Sequence, residues 1–207
     1  MAEELGKIEK PQASQFANKK KLYLVPLLYL WQDAPSEYNI LFDIYWQQVK
    51  EQLANLESRM GSINRIYHES IAVAGEEGLA LLEKLSGASY KIVSEKTKGG
   101  AQMEAVEDAE LVGESMDWER HLMMGFISEK AAKIVSDFFN ETSTKRYAHI
   151  ARMIGDTFKD NEAAMLFIRE GHHIQFPSDI EVFSVFPPAL NDVHRWLRDY
   201  NPEEKTQ

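Results

Sequence analysis

The sequence predicts an α/β fold, a mostly parallel sheet of about five strands flanked by helices. Three observations predict it. Short apolar runs alternate with longer stretches of helical periodicity along the whole chain. The first such unit, "LYLVPLLYLW" to "SINRIYHESI" through a helical stretch, has the form of a crossover, which implies parallel pairing and a right-handed connection. The run "EAAMLFI" is apolar throughout after its opening Glu162, as a strand buried on both faces requires.

Taken in order, "LYLVPLLYLW" reads as the first strand, with Pro26 marking an edge position or a bulge because it donates no ladder hydrogen bond. The next stretch, from Asp33 to Gly61, places apolar residues at Tyr38, Leu41, Ile44, Tyr45, Val49, Leu53 and Leu56. That is helical spacing, with Pro35 in the first turn and Gly61 as the stop. "SINRIYHESI" is the second strand. "GEEGLALLEKL" and "SYKIVSEKTKGG" are short helices, and "AQMEAVED" is a short third strand. "AELVGESMDWERHLMMGF" and "SEKAAKIVSDFFNETSTKRYAHIARMIGDTF" are long helices, the second capped by Ser128. "EAAMLFI" is the fourth strand. "DIEVFSVF" is the fifth, closed by Pro187 and Pro188, and "ALNDVHRWLRDY" is the last helix. Residues 1–19 and 203–207 read as flexible tails around a single domain over 20–202.

Composition narrows the function. A net charge of −10 repels phosphate backbones, so no nucleic-acid partner is expected. The absence of Cys excludes disulfides, thiolate metal sites and a cysteine nucleophile, and fits a cytoplasmic protein. The N-terminus shows no signal-peptide apolar stretch, and no apolar run approaches membrane-spanning length, so no membrane partner is expected. Phosphate-binding glycine loops and the G-x-S-x-G nucleophile turn are missing.

Ligands of open parallel sheets bind beyond the strands' carboxyl ends. The expected ends are Trp31, Gln32 and Asp33; His68 and Glu69; Glu104, Glu107 and Asp108; and Arg169 to His173. Imidazoles and carboxylates gather there, and both bind zinc, iron or manganese and do acid–base work. The candidates are therefore Glu69 and His172 as catalytic groups, and His68, Glu69, Glu104 and His172 as ligands of a divalent metal. Arg146 and Arg169 would hold an anionic substrate. His172 and His173 are adjacent, so on an extended chain only one faces a shared site, and His172, beside Gly171, is favoured. The plainer alternative is that strand ends turn polar wherever a chain leaves the core. "MDWERHLMMGF" is rich in Met and aromatics, the composition of a packed core or a subunit interface, so a homo-oligomer or protein partner is expected.

The layout resembles the superfamily of TraB-like proteins, ChaN-like haem-uptake proteins and erythromycin esterases, over residues 22 to 186. The residues that carry it are Glu69 in "INRIYHES", Arg146 in "KRYAHIARMI" and His172 in "MLFIREGHH". The early strand, "YLVPLLYLWQD", has neither the Gly nor the His of that family's first motif. The resemblance implies a metal-dependent hydrolase or a metal- or haem-binding protein. The missing motif favours a non-catalytic binding or regulatory domain. "LFIRE" and "FPSDI" also resemble stretches of an uncharacterised bacterial family.

Overall fold

The computed structural model describes residue 16 and residues 18–200. The expected tails therefore lie largely outside the described residues. Phe16 meets the Phe183 ring edge-on at 5.1 Å, and Lys19 pairs with Glu181.

The strands are β1 (Lys20–Pro26), β2 (Ile63–His68), β3 (Gln102–Met103), β4 (Ala163–Ile168) and β5 (Ile180–Ser184). The helices are α1 (Ser36–Met60), α2 (Gly75–Leu85), α3 (Gly87–Lys98), α4 (Ala109–Met123), α5 (Glu129–Thr157) and α6 (Pro188–Asp199). The five strands form one sheet in the order β3-β2-β4-β1-β5, and every pairing is parallel. The α/β expectation is thus met. The first two strands are parallel but not neighbours, because β4 sits between them.

Pro26 lies on an inner strand, between β4 and β5. It is tolerated because β5 has already ended there: the last β1–β5 pair is Leu24 with Ser184, so Pro26 turns its missing N–H to a locally open edge, as expected. The strand end moves with it. Leu27 still donates its N–H to Ile168 O (2.9 Å), and then the chain leaves the sheet. Trp31, Gln32 and Asp33 consequently belong to the loop before α1, not to the strand end. Tyr38 holds this loop down by donating its hydroxyl hydrogen to Tyr29 O (2.9 Å).

Strand alternation divides the core into two layers. Ala163, Met165 and Phe167 of β4 face a layer with Tyr45, Val49 and Leu53 of α1, Leu82 of α2, Val93 of α3 and Leu190 of α6. Ala164, Leu166 and Ile168 face the opposite layer, built with Ile150 and Ile154 of α5. In α1 the buried side includes Phe42 and Trp46, while Ile44, expected inside, is exposed.

Helix α5 covers its face of the sheet only with its C-terminal half. Its buried residues are Thr142, Arg146, Ile150 and Ile154, four apart along one side. Residues 129–141 contain none. Its antiparallel neighbour α4 buries a single residue, Ser115. The two helices form a hairpin, and every residue of its turn, 124–128, is exposed.

Candidate functional site

The strand ends hold a buried ion network. Glu69 follows β2 directly, has no exposed surface, and is tied to β4 by its N–H to Phe167 O (2.8 Å). Its Oε1 accepts from Arg146 Nη2 (3.2 Å) and from Arg169 Nε. Its Oε2 accepts from the Arg169 backbone N–H (2.6 Å). Glu107, which follows β3, takes Arg146 side-on. Its Oε2 accepts from Arg146 Nε (2.9 Å), and its Oε1 accepts from Nη2 and from Ser70 N–H (3.0 Å). Ser70 reaches this position in the left-handed region, at φ 69°. Arg169 continues outward to Glu119 of α4 (3.1 Å).

Charge sets the protonation states. Burial opposes the Arg146 charge, but hydrogen-bonded Glu107 and then Glu69 outweigh it and raise its pKa. Arg169 behaves alike. Burial works against it, and Glu69 followed by Glu119 overcomes that and raises it. Tyr29 feels the same cluster; burial first, then the Glu69 charge, raises its phenol to about 12.

His68 points to the other layer. Its Nδ1 lies 2.7 Å from Glu69 O and its Nε2 3.0 Å from Ser89 Oγ. A neutral ring satisfies both contacts, with Nδ1–H donating to the carbonyl and Nε2 accepting from the hydroxyl. Burial lowers its pKa to about 4, against the opposing pull of the Glu69 carbonyl and charge.

The expected site residues therefore separate. Glu69, Arg146 and Arg169 come together. His68 is hydrogen-bonded at both ring nitrogens in the other layer. Glu104 lies against Arg65, which also donates from Nε to Glu162 (2.9 Å), in a separate ion cluster. His172 stands on the loop after β4, edge-on to Phe176 at 6.1 Å, with its pKa lowered by burial. It shares a small pocket of about 160 Å3 with Arg169, Pro26 and Phe186. His173 turns the other way, into a groove of about 640 Å3 along α5 beside Tyr147. Among the described residues no group of three or more His, Asp or Glu is placed to hold a metal ion.

Sequence reasoning missed Glu119 and Ser70, and gave Glu107 no more than a supporting place. Nothing in their local patterns marks them. Asp108, beside Glu107, does carry a readable signal. It caps α4 by accepting from Glu110 N–H (2.9 Å) and Leu111 N–H (3.0 Å), so Glu107 is pinned at a helix entry.

No family model, no curated protein and no solved structure matches this chain. Among the described residues, no helix is long and apolar enough to cross a membrane.

Proposed function

We propose that the chain is a non-catalytic binding or regulatory domain. The sheet and its ion network form a rigid mount, and the α4–α5 hairpin is the contact surface. One observation carries this reading. Each of the four carboxylate oxygens of Glu69 and Glu107 already accepts from an arginine or a backbone N–H. Carboxylates so engaged serve as mutual counter-charges, not as a base awaiting a proton or a metal.

The test is Glu69→Gln beside His172→Ala, followed by urea unfolding and by zinc, manganese and iron titration. A mount loses about 3 kcal/mol with Glu69→Gln, since a buried arginine is left short of a counter-charge. It loses less than about 1 kcal/mol with His172→Ala, a half-buried loop residue. A Glu69→Gln chain as stable as wild type, with metal uptake abolished, overturns the reading.

The alternative is a metal-dependent hydrolase or a metal- or haem-binding protein, and the pocket shared by Arg169 and His172 favours it. A divalent metal would then sit against His172 and a carboxylate freed from its arginine. Stoichiometric metal in the wild type that is lost in the His172→Ala variant would decide for it.

A further inference from the structure

We infer that the distal half of the α4–α5 hairpin is where a second copy of this chain docks, the two hairpins lying side by side to close a four-helix bundle. This rests on reading the hairpin as the contact surface, and it names the occupant.

The hairpin is incomplete as a folded unit. Two helices bury a seam but no core, and helices in water draw most of their stability from a packed apolar face. Here α4 contributes one buried residue and the first thirteen positions of α5, 129–141, contribute none. Yet the sequence spends large apolar side chains on this region. Trp118 and Phe138 stack across the seam at 5.2 Å and 13°, and Phe138 is still 46% exposed. Ile134, one turn earlier on the same side, is 46% exposed. At the turn, Met124 is 79%, Phe126 37% and Ile127 fully exposed.

The exposed apolar area is of the right size. Five side chains of about 200 Å2 each, exposed to that extent, present on the order of 600 Å2. A standard interface takes about 800 Å2 per partner, and in homodimers roughly 65% of it is apolar, close to 500 Å2. The hairpin supplies what a stable dimer needs. Scattered apolar residues on a monomer would not.

Charge favours the same stretch. The chain carries −10, so two copies repel over most of their surfaces. Between Met116 and Phe138 three Lys/Arg face four Asp/Glu, a local balance of −1. Four of these seven are already paired within their own helix, Arg120 with Asp117 (3.2 Å) and Lys133 with Asp137 (2.9 Å). The stretch is therefore where a copy approaches against little repulsion. Two equal apolar faces meeting about a two-fold axis make the closed, self-complementary contact usual for soluble homo-oligomers.

The experiment is sedimentation equilibrium of the full chain from about 1 to about 100 μM, on the wild type, an Ile134→Lys/Phe138→Lys variant and an Ile40→Lys control. Ile40 is 59% exposed on α1, away from the hairpin. Circular dichroism of each checks folding. Because the substituted residues are already half exposed in the single chain, the variants should fold. The expected result is a wild-type dimer, a hairpin variant whose dissociation constant is raised roughly hundredfold, and a control that matches the wild type. A wild type at single-chain mass throughout overturns the inference. So does a dimer that the hairpin variant leaves intact, or one that the control weakens equally. The Glu69→Gln stability measurement is independent of these masses, so failure of self-pairing and failure of the binding-domain reading are told apart.

Discussion

One helix, α5, passes through two opposite environments. Around Arg146 it is closed off from water, and its charge is matched by Glu107 and Glu69. Around Ile134 and Phe138 it stands about half in solvent, with the Trp118 ring stacked on Phe138. The first region places charge where apolar groups belong, and the second places apolar groups where charge belongs. Each inversion is costly alone. For Arg146 the complement lies in the same chain. For Phe138 the same chain supplies only one face, the Trp118 ring, and the dimer proposed above would supply the rest. The difference teaches that polarity alone does not locate a working surface. What matters is whether each group's complement is already present.

Removing the internal complement should have the largest effect. Arg146→Met leaves Glu107 with a single backbone donor and Glu69 dependent on Arg169, so two carboxylates remain buried with too little positive charge. Breaking a buried pair from one side costs about 3–5 kcal/mol. Urea unfolding should show a loss in that range. Adding Glu107→Gln should restore part of it, because the residual charge is removed. A loss below about 1 kcal/mol would mean that the network is wet, and the contrast with the hairpin would collapse.

Next in size is a pH effect at the same strand ends. The folded pKa of His68, about 4, lies below its ordinary value of 6.5. As pH falls, the unfolded chain takes up the proton first. The stability contributed by the neutral ring is therefore complete above 6.5 and disappears between 6.5 and 4. A shift of that size corresponds to about 3 kcal/mol. Unfolding free energies at pH 7 and pH 4.5 should differ by most of this, and His68→Gln should remove that part of the slope. An unchanged slope in the variant would place the titration elsewhere.

The sheet was legible because its signals are local. "EAAMLFI" has the length and composition of a strand with both faces covered, and "SEKAAKIV" announces its cap. The end of β1 was not legible, because apolar residues continue past Pro26. Leu27, which still gives its N–H to Ile168 O, and Leu28 are both buried in the core, so composition does not show where the strand stops. The ion network was half legible. Glu69 and Arg169 sit at strand ends that could be listed in advance. Their joining to Glu107 and Glu119 spans 77, 39 and 50 residues of chain and depends on β4 lying between β1 and β2. No spacing rule reaches that far. The twin histidines did obey a local rule, since neighbours on an extended chain part to opposite sides, and His172 and His173 line different cavities.

A smaller effect tests the joint between the two regions. Asp108 caps α4 one residue after Glu107 enters the network. Asp108→Ala should cost about 1 kcal/mol, the usual worth of an N-cap. Amide exchange should show the loosening in the first turn of α4 and not at Ile150 of α5. Equal loosening at Ile150 would make hairpin and sheet one cooperative unit.

The smallest expected effect is at Met116, 53% exposed on the flank of α4 away from the Trp118–Phe138 stack. Met123 lies seven residues on, on the same flank, and is 79% exposed. Among the described residues nothing covers this flank, and a two-fold contact through the opposite flank leaves it in solvent. Met116→Gln should therefore change the unfolding free energy by less than about 0.5 kcal/mol. A cost near 2 kcal/mol, measured where the wild type is dimeric, would mean that the second flank is covered as well. The hairpins would then interleave instead of lying side by side, and both faces of α4 would count as interior.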